Sequence, residues 1–339
     1  MHRLRFVNLW AGLVAALTAL AALTVTTATA AEQIVVGTGP VAGAYFPAGG
    51  GLCRLVNRAE SAEGLRCLVE STAGSEENLR RLRAGELDFA LLQSDWQYYA
   101  GRDGTGQSSD DGGTAVETSQ ELRAVASLHS QPFTLLARPE SGIAAFKDLE
   151  DKTVNLGAPD SALGRATRVV VEALGLDEGD FAEVTALAPS DLAEALCSGR
   201  IDAFLMPVAH PNGTVAAATE RCGARLVPIE GPSVDVLLEA WPFYTPASIP
   251  GGLYLGNSQA VASFGLRATL VTSTRVAENT VHRLVRALFE GLGELRGQHP
   301  ALATLDAEQM VAQGNTLAFH EGALRYYREQ GWLQPETAP

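Results

Sequence analysis

Basic residues are scarce in this chain: 25 lysines and arginines face 39 acids, a formal net charge of −14. That balance excludes nucleic acid and anionic membrane surfaces as partners. A small anionic ligand stays open, because a cleft sets its own local potential. Recognisable catalytic motifs are missing as well. There is no G-x-S-x-G elbow, no H-E-x-x-H pair and no lysine of the Walker type after the glycines. The 4 cysteines show no C-x-x-C spacing and no paired histidines accompany them, so neither a metal nor another cofactor is expected. Charged residues make up only 19% of the chain, against 46% hydrophobic. Disorder is thereby excluded, and 339 residues suffice for two domains or one large one.

What is present begins with an export signal. His2, Arg3 and Arg5 precede an almost uncharged run from Val7 to Val25, which ends in Ala28-Thr29-Ala30. This order of basic, apolar and small residues defines a secretory signal over 1–30, with cleavage expected after Ala30. The length of the run leaves an uncleaved anchor as the alternative. No later stretch matches it in length and hydrophobicity. In an oxidising compartment the cysteines default to two local disulfides, Cys53–Cys67 and Cys197–Cys222, with the two cross-pairings left open by sequence.

The mature chain is organised around Ile34-Val35-Val36-Gly37-Thr38-Gly39-Pro40-Val41-Ala42-Gly43-Ala44-Tyr45-Phe46-Pro47. It reads as a buried strand, a glycine-rich turn and a helix whose N-terminus favours anions. The spacing G-x-G-x-x-x-G is one residue off the dinucleotide fingerprint, and no acid follows at the required distance. Ser71–Asn78 and Ser161–Arg165 repeat the pattern of a polar turn opening a helix, with Ser75 as N-cap of the second. The strand Leu87–Leu92 ends in Gln93-Ser94-Asp95, where open α/β sheets bind ligands. Each turn alone is ordinary capping; together they predict N–H and hydroxyl donors around a cleft for a carboxylate-bearing solute. Glu76 and Glu77 oppose that charge unless they face solvent.

Further along, Leu122–Leu128 and Phe133–Ala137 read as strands flanking His129-Ser130-Gln131-Pro132. Residues 101–119 read as a solvated excursion, and helices are expected from Glu278 and from Asp306. Leu196–Phe204 echoes Leu82–Ala90, each a helix, a glycine stop and a strand, which suggests two lobes of similar construction. His129 and His210, beside proline-containing loops, read as structural hydrogen-bonding residues and not as bases.

The chain resembles the substrate-binding receptors of tripartite ATP-independent periplasmic (TRAP) transporters, in the TAXI subfamily. The likeness lies in Gly37-Thr38-Gly39…Gly43-Ala44-Tyr45-Phe46-Pro47, Ser71–Asn78 and Gly85-Glu86-Leu87-Asp88-Phe89-Ala90…Gln93-Ser94-Asp95. It continues in Pro132-Phe133-Thr134-Leu135, Asp148-Leu149…Lys152…Val154-Asn155-Leu156-Gly157 and His210-Pro211-Asn212. The resemblance implies an α/β, two-lobed type II periplasmic-binding-protein fold with a hinge and an interlobe ligand cleft. It also implies local pairing of the cysteines, a TRAP permease as partner, and an acidic amino acid or dicarboxylate such as glutamate or 2-oxoglutarate as ligand. On this reading the protein is a periplasmic receptor and not an enzyme. The ligand would be held by Thr38, Gly39, Gly43, Ala44, Tyr45, Thr72, Ser75, Asn78, Gln93 and Ser94 from one lobe and by Ser161 and Ala162 from the other. The chain departs from the subfamily at Asp160-Ser161-Ala162-Leu163-Gly164-Arg165, where glycine-serine-glycine-threonine-arginine is usual. The arginine is displaced by one position, about 100° around a helix, so carboxylate binding is not carried over to Arg165. The expected lobes are 31–134 with 272–339, and 135–271, the chain crossing near Thr134–Ala137 and Arg267–Ser273. The rival reading is a sensory receptor of the same fold that signals to a membrane kinase.

Overall fold

The computed structural model describes residues 32–60, 64–102 and 121–333. The expected signal segment and nearly all of the 101–119 excursion lie outside them. The first lobe opens with β1 (Glu32–Gly37), α1 (Tyr45–Ala59), β2 (Leu65–Glu70), α2 (Ser75–Arg83), β3 (Phe89–Gln93) and α3 (Ser94–Arg102). Alternating burial puts Ile34 and Val36 of β1 under α1, whose Leu52, Leu55 and Val56 recur at helical spacing on the buried face. β1 pairs in parallel with both β2 and β3. Cys53 on α1 is bonded to Cys67 on β2, and Asn57 clasps the Cys67 backbone from both sides, accepting from its N–H at 2.8 Å and donating to its carbonyl at 2.9 Å.

Two long strands carry the chain between lobes, β4 (Leu122–Ala137) and β10 (Val261–Ser273). Between them lie β5 (Thr153–Asn155), α4 (Ala162–Ala173), β6 (Glu183–Thr185), α5 (Leu192–Cys197), β7 (Ala203–Pro207), α6 (Gly213–Cys222), β8 (Arg225–Val227), α7 (Pro232–Ala240) and β9 (Thr245–Ile249). The described residues form one 10-stranded sheet in the order β2-β1-β3-β10-β4-β7-β5-β6, with β8 beside β4 and β9 beside β10. Both long strands change partners partway. On β10, Ala268–Thr272 pair with β3 and Val261–Gly265 with β9. On β4, residues up to Pro132 pair with β10, and Phe133–Ala137 pair with β7. The second disulfide, Cys197–Cys222, joins the ends of α5 and α6.

β4 is continuous through His129-Ser130-Gln131-Pro132, where a loop was expected. Pro132 is tolerated because it sits at the change of partners, opposite Gly265. A Cβ on Gly265 would lie 2.6 Å from the Pro132 Cα, so only glycine lets the two backbones approach there. The chain closes over the first lobe with α8 (Glu278–Glu290), α9 (Leu292–Arg296), α10 (Ala307–Ala312) and α11 (Glu321–Glu329). Asp306 caps α10 through the Gln309 N–H, but that helix stops at Ala312 and the chain runs along β4 before α11 begins. One core gathers Phe89, Leu91, Leu128, Leu270, Leu288 and Tyr327. Another gathers Phe133, Leu135, Val154, Leu205, Phe243 and Phe264.

Candidate functional site

A cavity of about 390 Å³ lies where loops from both lobes meet the middle of β4. Its walls are made by helix beginnings. The turn before α1 contributes Gly39, Gly43, Ala44 and Tyr45, and the turn before α2 contributes Ala73, Gly74, Ser75 and Glu76. The second lobe adds the β7–α6 loop, with Val208, Ala209, Pro211, Asn212 and Gly213. Gln93, Trp96, Gln131 and His299 complete the lining. The first N–H groups of a helix have no intrahelical partner and carry partial positive charge. The starts of α1 and α2 therefore direct donors at one space, whereas the Thr214 and Val215 N–H groups of α6 are taken up by Asn212; no lysine or arginine lines the cavity among the described residues.

The polar side chains in the wall are oriented by bonds made within the protein. Gly74, at φ +113°, is the residue that turns the chain into α2, a conformation suited to glycine. Ser75 is thus the first residue of the helix and not its cap, and its hydroxyl accepts the Gln93 backbone N–H at 3.0 Å. Gln93 Nε2 donates to Gln131 Oε1 at 3.2 Å, which leaves the Gln131 amide hydrogens for the cavity. Asn212 Oδ1 caps α6 by accepting from Thr214 and Val215 N–H, which leaves its Nδ2 donors. Glu76 is the carboxylate in the wall.

Behind the wall, Asp95 stands at the N-terminus of α3. Burial pushes its carboxyl up to about 6, partly opposed by backbone N–H bonds and by the charge of Arg165. Burial also raises the Tyr45 phenol, with Asp95 adding to the effect. His129 lies edge-on to Tyr45, ring centroids 5.7 Å apart, and burial beside Arg267 and His299 pushes it down to about 3. It is neutral and within a strand. His210 is the hydrogen-bonded structural histidine that its loop position suggested.

Of the residues expected at the site, the structure brings Gly39, Gly43, Ala44, Tyr45, Ser75 and Gln93 together around the cavity. The others serve the fold. Thr38 Oγ1 donates to the Glu70 carbonyl at 2.6 Å, and Thr72 Oγ1 to the Thr38 carbonyl at 2.9 Å. Asn78 is fully buried, its Nδ2 donating to the Thr38 and Leu91 carbonyls at 2.6 and 2.8 Å. Ser94 ties the lobes, donating to the Phe243 carbonyl at 2.7 Å and accepting from Arg267 N–H at 3.1 Å. Ser161 caps α4 through Gly164 N–H, Ala162 is the first residue of that helix, and Arg165 donates to the Asp160 carbonyl; neither Ser161 nor Arg165 lines the cavity. Gln131 stood in the stretch read as lying between two strands, and Asn212 in the His210-Pro211-Asn212 motif that carries the family resemblance. His299 had no such signal, since it lies between two helical segments far along the chain.

Two α/β lobes joined by two continuous strands, with a polar cavity between them, make up the type II periplasmic-binding-protein fold. The periplasmic sulfonate-binding protein SsuA from Methylobacillus flagellatus aligns over 88% of this chain and 84% of its own, at 12% identity and a TM-score of 0.51. The periplasmic aliphatic sulphonate-binding protein SsuA from Escherichia coli aligns over 88% of each chain, at 13% identity and a TM-score of 0.49. At 12% identity the likeness to the Methylobacillus protein is one of fold. The chain belongs to the NMT1-like family, whose sequence model matches residues 36–331.

Proposed function

We propose that the protein is an exported receptor that captures a small organic anion, an acidic amino acid or a dicarboxylate such as glutamate or 2-oxoglutarate. It then hands the solute to the membrane permease of a TRAP transporter. The observation that carries this reading is the convergence of the α1, α2 and α6 N-termini on one cavity whose wall, among the described residues, has no lysine or arginine. Uncharged donors of this kind suit an anion and leave no buried cation behind when it departs. Glu76 in the same wall suits a ligand that also carries a hydrogen-bond donor. The permease assignment rests on the TAXI-like motifs, and export to the periplasm on the segment ending at Ala30.

Binding would close the lobes about β4 and β10 without any chemistry. The lobes of this reading are 31–134 with 272–339, and 135–271. Thermal-shift and calorimetric titration with glutamate, 2-oxoglutarate and succinate, with an alkanesulfonate for contrast, tests it. A ligand present at 100 times its Kd should stabilise the protein by about 2.7 kcal/mol. Binding of the sulfonate alone, or of none of the carboxylates, overturns the choice of ligand. A gene for a fused multi-spanning permease beside this one supports the partner, and a sensor kinase in its place contradicts it.

A further inference from the structure

The 208–213 segment carries the second lobe's share of the cavity wall, and the hydrogen bonds that hold it run in a single direction. Thr134 Oγ1 donates its one hydrogen to the Pro132 carbonyl at 3.1 Å. It therefore accepts at its contact with His210 Nε2, 2.9 Å away, which places the His210 proton on Nε2. Nδ1 is then an acceptor, and the Tyr254 hydroxyl 2.6 Å from it donates. The Tyr254 oxygen in turn accepts the Asn212 backbone N–H at 2.7 Å. Reversing the histidine tautomer would give the Tyr254 oxygen two incoming donors and leave its own hydrogen without an acceptor in a buried position. The chain links the crossing point of β4 to the residue that caps α6 and lines the cavity. Burial favours the neutral imidazole that this order requires.

We propose that His210, as the neutral Nε2–H tautomer, is a positioning residue for the solute site. Together with Tyr254 it holds Asn212 and the α6 N-terminus at the spacing from Gln131 and α2 that ligand capture needs. The affinity part of this inference rests on the cavity being the solute site; the tautomer and the loop anchoring do not.

Nitrogen NMR of the full exported protein labelled at histidine, with His210 assigned through a His210→Gln variant, reads the tautomer directly. The expected result at neutral pH is a proton-bearing Nε2 and a bare Nδ1. A proton on Nδ1 overturns the proposal. Tyr254→Phe removes the donor to Nδ1 and the acceptor for Asn212. It should convert His210 to a mixture of tautomers and speed hydrogen exchange at the Asn212 amide, while cooperative unfolding is kept. An unchanged histidine signature or unchanged Asn212 exchange in that variant overturns it. With L-glutamate as probe, Tyr254→Phe should bind at least tenfold more weakly than the wild type, and equal affinity overturns the positioning role. Failure of the wild type to bind L-glutamate speaks against the ligand proposed above, and the tautomer and exchange readouts still decide this inference.

Discussion

Gln93 closes β3 with its N–H held by Ser75 and one side-chain hydrogen held by Gln131, so the second Nε2 hydrogen is its free donor in the cavity. A hydrogen bond to a charged group contributes about 1.5–3 kcal/mol. Gln93→Ala should therefore weaken binding of a carboxylate by at least tenfold in calorimetry, with little change in melting temperature. Ser75→Ala differs, because it leaves the Gln93 N–H without an acceptor. It should cost about 1–3 kcal/mol in chemical denaturation and lower affinity as well. Asp95 supplies a pH test. Its folded value, about 6, lies above its ordinary 3.8, so in that interval the native state holds a proton that the unfolded chain has lost. Its contribution to stability is complete below about pH 4 and is lost as pH rises through 6. Asp95→Asn should then be the more stable protein at pH 7, by roughly 1–3 kcal/mol, with the gain gone near pH 4. An anionic probe should also bind more tightly at pH 5.5 than at 7.5 in the wild type, and much less so in the variant.

Elements were legible in the sequence where local chemistry decides them. Leu65–Glu70 alternates, Gly85 ends α2 with φ +72°, and Ser161 caps α4. Elements set by distant partners were not. A strand runs through Pro132 because Gly265, more than a hundred residues away, leaves room for it. At the site, the turns before α1 and α2 were readable, since glycine and helix-start signals coincide there. The second lobe's contribution was not. The signal at Ser161 was a true cap that lies away from the cavity, and the wall is made by Asn212. Residue type likewise failed to separate a ligand donor from an internal bolt. Asn78 reads as a helix-start polar residue, yet it joins α2 to the carbonyls of Thr38 and Leu91. Asn78→Ala should cost roughly 2 kcal/mol or more in denaturant melts by removing two buried hydrogen bonds, leaving the Thr38 carbonyl with the Thr72 hydroxyl alone. Replacing both Cys53 and Cys67 by serine frees a 14-residue separation between α1 and β2. That should cost about 3 kcal/mol while the spectrum of the native state is kept.

For the whole molecule, lobe closure should make the protein more compact, and small-angle scattering at saturating ligand should report a smaller radius of gyration than in the apo form. An unchanged radius, with binding confirmed in the same sample, speaks against closure. Gly265→Ala tests the crossing itself. A methyl group there meets the Pro132 backbone, so β4 and β10 must part where the lobes join. The variant should melt at lower temperature, and because the methyl also meets the Gln131 backbone it should weaken ligand binding as well. Those two strands also limit how such a molecule can be inherited. Because each crossing lies inside a hydrogen-bonded strand and not in a loop, neither lobe is a separable module. A gene fragment encoding one lobe would end in half-strands with bare edges, which invite aggregation. Recombination could trade one lobe for a relative's only if both half-strands were exchanged with their register intact. New specificities on this scaffold are therefore expected to arise by substitution in the loops around the cavity, and seldom by shuffling of lobes.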